Sequence, residues 1–158
     1  MTQEVSVNEN IKLFNDLDSF VNELSAREKV NILETEMKKQ PQVELEIKHY
    51  FSYGVYAREL FIPKGIMLTG KIHKYPQLNI LIKGEMSVLV DEIIKRVKAP
   101  FIVESQAGTK RIAIAHEDSI WITILGTNLK NVEEIENEFI ANTEQEYMEF
   151  FRQYRLEV

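Results

Sequence analysis

Glycines and prolines at intervals divide the middle of the chain into short segments, and this pattern constrains the fold most strongly. Between residues 43 and 127 the segments are rich in Val, Ile, Tyr, Phe and Thr, which favour strands. No helical periodicity separates them, so we expect an antiparallel sandwich or small barrel. The predicted strands cover residues 43–49, 55–62, 66–73, 78–83, 86–90, 93–97, 101–104, 110–115 and 120–125.

Amphipathic helices are predicted on both sides of the strands. Apolar residues recur at helical spacing from about residue 8 to 40, and Ser25 with Glu28 resembles a capping box that divides this region into two helices. A second capping box is predicted at Thr143 and Glu146, within one or two C-terminal helices. Their aromatic face packs on the barrel or contacts a partner chain; both alternatives stay open.

Length and composition indicate one structural domain and exclude several function classes. The expected segments are an N-terminal helical segment (1–42), the barrel (43–127) and a C-terminal helical segment (128–158). No cysteine is present, so disulfides and thiolate sites are excluded. A net charge of −6 argues against a nucleic-acid partner. With no apolar run of membrane-spanning length and no signal-peptide pattern, the expected location is the cytoplasm, away from the membrane.

Two stretches within the strand region resemble the motifs of the cupin superfamily, the RmlC-like jelly rolls. They are GKIHKYPQLNILIKGEMSVL and KAPFIVESQAGTKRIAIAHEDSIWITI. The resemblance implies a mainly β protein with a cupin-like jelly-roll β-barrel between flanking N-terminal and C-terminal α-helices. YARELFIPKG, LTGKIHK, LNILIKG and GTKRIAIAHED further resemble a set of bacteriophage-encoded cupin-like proteins, which implies a location in the host cytoplasm. Cupins commonly dimerise, so the resemblance also implies a homodimer or higher homo-oligomer, with strands 43–49 and 55–62 as candidate contacts.

Carrying over the cupin metal-ligand positions one by one retains a single ligand. The first histidine of the motif is His73, whereas the second falls on Tyr75, the glutamate position on Gln77 and the last histidine on Arg111. A tyrosine hydroxyl and an amide are poor ligands for a divalent transition metal, and a guanidinium repels the cation. We therefore predict no metal and no cofactor.

The altered positions predict a pocket for a small polar or anionic ligand. Alternation along the strands places several hydrogen-bonding side chains on one inner face, and the single tryptophan is either core or an aromatic wall. The alternative is that these side chains only fill the barrel, with Arg111 paired to Glu59 or Glu104. The predicted ligand-binding residues are Lys71, His73, Tyr75, Gln77, Asn79, Arg111 and Trp121.

Two further histidines are predicted to lie outside the pocket. His116 precedes a polar turn and falls out of phase with Arg111, so we expect it at an exposed hairpin end. His49 has no partner at metal-ligand spacing and is expected on an edge strand.

Three functions compete at this point. The first is a non-enzymatic, phage-type protein that binds a small polar or anionic molecule, such as a nucleotide-like metabolite or signal. The second is a cupin enzyme, either a metal-free isomerase or epimerase with His73 as general base and Tyr75 as acid, or a metal-dependent enzyme. The third is a structural, self-associating viral protein. No nucleophile pattern and no carboxylate placed to orient His73 is evident, which favours the binding protein.

Overall fold

The computed structural model describes residues 24–90 and 93–157, together with residues 10 and 12. Along this part of the chain a helix precedes ten strands, which are followed by a helix, a short strand and a last helix. Their bounds are α1 Ala26–Met37, β1 Ile47–Ser52, β2 Val55–Ile62, β3 Met67–Thr69, β4 Ile72–His73, β5 Gln77–Lys83, β6 Glu85–Val90, β7 Ile93–Lys98, β8 Phe101–Ser105, β9 Ile112–Ala115, β10 Ser119–Gly126, α2 Val132–Phe139, β11 Ile140–Ala141 and α3 Glu144–Glu157.

The strands pair as one long hairpin that is rolled up on itself. All pairs are antiparallel and nested: β6 pairs with β7, β5 with β8, β3 with β9, and β2 with β10. The result is a five-stranded sheet of order β1-β2-β10-β5-β8 facing a four-stranded sheet of order β3-β9-β6-β7. This arrangement is a jelly roll, and it confirms the predicted fold class of a cupin-like barrel with flanking helices.

Most predicted strands agree with the structure, and the exceptions have a physical cause. The strands β2, β5 to β8 and β10 begin and end within one residue of the prediction. The first strand begins at Ile47, because residues 41–46 form no regular structure. The predicted strand 66–73 is divided at Gly70: β3 pairs with β9, whereas β4 leaves the sheet and pairs with β11, where His73 lies opposite Ile140.

The interior of the barrel has an apolar part and a polar part. Alternate residues of the strands point inward, so the apolar core contains Ile62, Leu81, Met86, Val88, Val90, Val97, Ala113 and Ala115. The buried polar side chains are His73, Gln77, Asn79, Ser105, Ser119 and Thr123. A barrel interior that serves only to stabilise the fold is expected to be mainly apolar. The buried polar residues therefore indicate where in the barrel a functional site could lie.

The helix α1 covers the outer face of the four-stranded sheet. Its predicted capping box is confirmed: Ser25 Oγ accepts a hydrogen bond from the Glu28 amide at 3.3 Å, and Glu28 Oε2 accepts one from the Ser25 amide at 2.9 Å. Val30 and Leu33 pack on Ile112 and neighbouring residues of the sheet. Burial of each of these side chains contributes about 2 kcal/mol. The predicted helix before Ser25 lies almost entirely outside the described residues.

The C-terminal helices pack back on the barrel. Ile135 and Phe139 of α2 are buried against Tyr56 and Leu125. The helix α3 begins after Thr143. The Thr143 Oγ1 accepts a hydrogen bond from the amide of Glu146, its predicted capping partner, at 3.0 Å. Part of the aromatic face contacts the same chain, because the ring of Phe150 packs on Tyr75 with a centroid distance of 5.2 Å. None of the helices in the described part of the chain has the length and apolar character that crossing a lipid bilayer requires.

Candidate functional site

A cavity of about 80 Å³ lies inside the barrel, between the two sheets. Strands of both sheets supply its wall, which places polar and apolar side chains opposite one another. Six of the seven residues predicted to bind a ligand line this cavity: Lys71, His73, Gln77, Asn79, Arg111 and Trp121.

Asn79 is fully engaged within the protein. It lies at the centre of β5, only 2% exposed. Its Oδ1 accepts hydrogen bonds from Trp121 Nε1 at 3.2 Å and Thr123 Oγ1 at 2.9 Å, while its Nδ2 donates to Ser105 Oγ at 2.7 Å. Asn79 therefore ties three strands together and fixes the Trp121 ring in the cavity wall.

Arg111 also bonds to the barrel itself. It lies one residue before β9 and in phase with Ala113, which confirms the predicted inward direction. Its Nε and Nη2 donate to Ser105 Oγ at 3.1 Å and 2.8 Å, and its Nη1 donates to the Leu89 carbonyl at 2.6 Å. Glu59, one of the alternative partners, instead accepts a hydrogen bond from Tyr50 at 3.1 Å. Arg111 thus joins the two sheets and brings a fixed positive charge to the cavity.

His73 is a buried, neutral histidine. Its side chain is 8% exposed, and Nδ1 has no hydrogen-bond partner among the described residues. Burial, and to a smaller extent the charges of Arg58, Arg111 and Lys71, together lower the pKa of His73 from 6.5 to about 3. At neutral pH the ring has one donor and one acceptor nitrogen, both without a formal charge.

Gln77 has a second buried polar atom without a partner. The residue is the first of β5, and its Oε1 accepts no hydrogen bond within the described part of the chain. Because Gln77 and His73 both line the cavity, a hydrogen-bonding group placed there would reach both side chains. An unsatisfied buried polar atom costs about 1–3 kcal/mol, so these two atoms are unfavourable unless something in the cavity bonds to them.

Tyr75 does not lie in the cavity wall, which corrects the prediction that it shares a face with His73. Because β4 ends at His73 and the chain bends at the next two residues, the alternation of a strand does not reach Tyr75. Its ring instead contacts the rings of Phe139, Phe150 and Tyr154, with centroid distances of 5.4, 5.2 and 6.4 Å. Tyr75 thus anchors the C-terminal helices.

Lys71 lies at the rim of the cavity. Half of its side chain is exposed, and its Nζ is 3.6 Å from Glu136 Oε1 on α2. This distance describes a loose, solvent-screened ion pair, which contributes little to stability. Lys71 can therefore turn toward a ligand at small cost.

Arg58 is the site residue that the sequence motifs missed. It lies on β2, outside both cupin-like motifs, and lines the cavity together with Leu60 and Ile62. The signal was present in the sequence, because Tyr56, Arg58, Leu60 and Ile62 alternate along one face of a predicted strand. A charged residue in phase with inward apolar residues is a candidate site residue.

The other two histidines lie outside the cavity wall. His49 is on the edge strand, as predicted, and its Nδ1 is 2.7 Å from the Tyr56 hydroxyl. The prediction for His116 is wrong: the residue is partly buried, because its ring lies across β6, where Nε2 is 2.7 Å from Ser87 Oγ. Neither histidine joins His73.

The residues at the four cupin ligand positions do not fit a divalent metal ion. Such an ion needs three or four imidazole, carboxylate or thiolate donors. Tyr75 points into the aromatic cluster, Gln77 offers an amide, and Arg111 contributes a cation. Within the described residues, no group of three or more His, Asp or Glu side chains is placed to hold a metal.

Comparisons with known proteins find similarity at the level of solved structures. No protein-family model and no curated protein matches the chain. An RmlC-like cupin from Shewanella frigidimarina is 20% identical over 60% of this chain and 89% of its own, with a TM-score of 0.47. KdgF from Halomonas sp. is 16% identical over 60% of this chain and 88% of its own, with a TM-score of 0.49.

A third similar structure is an RmlC-like cupin with a double-stranded β-helix fold from Methanocaldococcus jannaschii. It is 18% identical over 56% of this chain and 85% of its own, with a TM-score of 0.43. The strand order and the cavity define this chain as a cupin-like jelly roll.

Proposed function

We propose that this chain is a non-enzymatic binding protein that holds a small polar or anionic molecule in the barrel cavity without a metal. The observation that carries the proposal is the pair of buried, unsatisfied atoms His73 Nδ1 and Gln77 Oε1, whose side chains line the same cavity. A ligand with hydrogen-bonding groups offsets the cost of leaving these atoms unpaired.

The size of the cavity narrows the ligand. Pockets for drug-sized molecules measure roughly 300–1,000 Å³, and an engineered cavity of about 150 Å³ holds one benzene ring. A volume of about 80 Å³ encloses only a few non-hydrogen atoms. A whole nucleotide is therefore too large, and a small metabolite, or the polar end of a larger one, suits the cavity better.

The enzyme alternative receives less support from the same geometry. A general base works best with a pKa near the working pH, whereas the pKa of His73 is about 3. Its proposed acid, Tyr75, packs among Phe139 and Phe150. A pocket that holds a molecule without converting it needs neither group to titrate.

The proposal takes up the resemblance to phage-encoded cupin-like proteins. A protein of that origin would act in the cytoplasm of the infected bacterium and hold a host metabolite or signal. Such a role requires binding and no turnover, which suits a cavity without a catalytic pair.

Substitution of Gln77 tests the proposal. Because Gln77→Leu removes an unsatisfied acceptor, we expect the free energy of unfolding to rise by about 1 kcal/mol. Binding of the small polar molecule should weaken at least tenfold in the same variant. Native mass spectrometry of protein from its host identifies the ligand, and isothermal titration measures its affinity before and after dialysis against EDTA.

The matched control is Gln145→Leu on the exposed surface of α3, which should change neither quantity. Loss of affinity after EDTA treatment would contradict metal-free binding. If Gln77→Leu gains stability but binds with unchanged affinity, Gln77 only fills the barrel.

A second candidate function is self-association, favoured by the first strand. All six residues of β1 are exposed at the edge of the five-stranded sheet, and Ile47 is 46% exposed. An edge strand with exposed apolar side chains such as Ile47 and Phe51 offers unpaired backbone groups to a second copy. The strand β2 is not available for such pairing, because it lies between β1 and β10.

Light scattering over a range of concentrations tests this candidate. We expect a dimer that Ile47→Lys weakens, since an edge lysine opposes strand pairing. The matched control is Ile93→Lys on β7, the edge of the other sheet, which should leave the dimer unchanged. A monomer at every concentration would exclude self-association.

A further inference from the structure

Arg58 occupies a central place in the cavity wall. It lies on β2 between two partner strands, directly opposite His49 on one side and Thr123 on the other. Its side chain is partly buried, and its guanidinium makes no hydrogen bond or ion pair with another described residue. A guanidinium has five donors in a planar fork, so Arg58 offers the cavity a charged group with unused hydrogen-bonding capacity.

The charged side chains that line the cavity are all positive among the described residues. Arg58, Lys71 and Arg111 line the cavity, and no Asp or Glu is among the described residues that line it. Burial lowers the pKa of His73 most, and the same three cations lower it in the same direction, because their positive field disfavours a further positive charge in the cavity. In the low dielectric of a barrel interior, such a field favours an anion over a neutral molecule of the same shape.

The two arginines differ in what their donors already contact. Arg111 donates to Ser105 Oγ and to the Leu89 carbonyl, and these bonds fix it to the framework. Arg58 has no such bond among the described residues, so its donors can turn to a ligand without breaking a contact. The sequence motifs point to Arg111, whereas the structure favours Arg58 as the residue that contacts the anion.

We infer that the ligand is a small carboxylate with a hydrogen-bond donor next to the carboxylate, such as a 2-hydroxy acid, and that Arg58 binds its carboxylate. This inference rests on the proposed binding function and names the ligand class. The fork of Arg58 matches the two oxygens of a carboxylate. The donor beside the carboxylate satisfies Gln77 Oε1, which is an acceptor only.

The acceptor on Gln77 also separates a hydroxy carboxylate from a phosphate ester. A fully ionised phosphate group offers only acceptors, so it would leave Gln77 Oε1 unsatisfied and place like partial charges together. A 2-hydroxy acid carries one anionic end and one donor within a few atoms. That pair of groups is the complement of Arg58 and Gln77 in a cavity of about 80 Å³.

The experiment uses the fluorescence of Trp121, the only tryptophan of the chain and part of the cavity wall. The probes are lactate, its neutral amide lactamide, and methyl phosphate, each titrated into the full chain above pH 7. We expect lactate to bind at least tenfold more tightly than lactamide or methyl phosphate. In Arg58→Gln this preference should fall about tenfold, because a charge-assisted pair is lost while Arg111 and Lys71 keep the wall positive.

Two further variants complete the test. Arg58→Lys keeps the charge but loses the fork, so it should retain a weaker preference for lactate even if Arg58→Gln folds poorly. Arg96→Gln, on exposed β7 and paired with Glu85, is the matched control and should bind like the wild type.

The outcomes separate this inference from the proposed function. Equal binding of lactate and lactamide, tighter binding of methyl phosphate, or an unchanged preference in Arg58→Gln would overturn the carboxylate assignment. In those cases the loss of binding in Gln77→Leu would still support a small polar ligand. If no probe binds and no ligand is carried over from the host, both proposals fail.

Discussion

Two amide side chains on the inner face of β5, Gln77 and Asn79, differ in whether their polar atoms are bonded within the protein. Asn79 and Gln77 are two positions apart, and both are buried. Every polar atom of the Asn79 side chain has a partner, whereas Gln77 Oε1 has none among the described residues. A satisfied buried amide stabilises a barrel, and an unsatisfied one lowers its stability. The second kind is the one to expect where a ligand binds.

Burial of His73 makes the stability of the protein depend on pH. The pKa of His73 is about 3 in the folded chain and 6.5 for a histidine in the unfolded chain, so the unfolded chain binds the proton more readily. Stability from the neutral ring is complete above pH 6.5 and is lost as the pH falls toward 3. Between pH 6 and pH 4 we expect the free energy of unfolding of the wild type to fall about 2 kcal/mol more than that of His73→Gln. Urea denaturation at several pH values measures the difference.

The control for this prediction is His49→Gln, because His49 lies on the exposed edge strand. This variant should follow the wild type across the pH range. Parallel curves for the wild type and His73→Gln would contradict the burial of a neutral imidazole. The cations that surround the ring are Arg58, Arg111 and Lys71.

At the residue scale, the sequence predicted the inward side chains where a strand is regular. Alternation placed Asn79 and Arg111 correctly, because β5 and the start of β9 keep their phase. It failed for Tyr75, because two bend residues follow β4 just before Pro76, and a proline interrupts the alternation of a strand. Arg58 was not among the predicted site residues, because it lies on β2, outside both cupin-like stretches.

The turn around Gly108 joins several elements at one point. The Gly108 amide donates to the His73 carbonyl at 2.7 Å, and the Gly108 carbonyl accepts a hydrogen bond from Arg27 of α1. Arg27 also pairs with Glu144 of α3 at 2.8 Å. Tyr147 of α3 packs so closely that a β-carbon on Gly108 would lie 2.5 Å from its hydroxyl. The strand that carries His73 is thereby tied to both flanking helices.

Substitution of Gly108 tests the role of this turn. Gly108 has a φ of +80°, so Gly108→Ala carries backbone strain and also displaces Tyr147. We expect a loss of about 1 kcal/mol from the strain and a further 1–3 kcal/mol from the clash. Hydrogen exchange should show reduced protection in α3, and denaturation measures the total.

Gly54→Ala provides the matched control. Gly54 has a φ of +70°, but a β-carbon there meets nothing within 4 Å. This variant should show the strain alone and leave the protection of α3 unchanged. Equal effects of the two substitutions would mean that the contact with Tyr147 does not hold the helix.

For helices and strands, the sequence predicted the features that depend on a few neighbouring residues. The capping residues Ser25 and Thr143 each mark the start of a helix, because a cap is determined by a few neighbouring residues. The division of the predicted strand 66–73 depends on β11, which lies far along the chain. Gly70 marks the interruption locally, but the identity of so distant a partner strand cannot be predicted from the residues around it.

For the whole molecule, turn signals and strand propensity predicted an antiparallel sandwich or small barrel, and the resemblance to cupins implied a jelly roll. Neither predicted the shape of the cavity. Its volume depends on how side chains such as Met86, Val88 and Trp121 pack across the two sheets. That packing is a property of the assembled barrel. The ligand class follows from the cavity's charges and unpaired atoms, which become visible only when residues from five or more strands are placed together.

The nested pairing of the strands also governs how this molecule is made. Val55 at the start of β2 pairs with Gly126 at the end of β10, so the outermost pair encloses nearly the whole barrel sequence. During synthesis the β6–β7 hairpin can close early, but the five-stranded sheet lacks a central strand until β10 has left the ribosome. Because loop closure must precede these distant contacts, the nascent chain exposes the apolar faces of β2 and β5 until β10 becomes available.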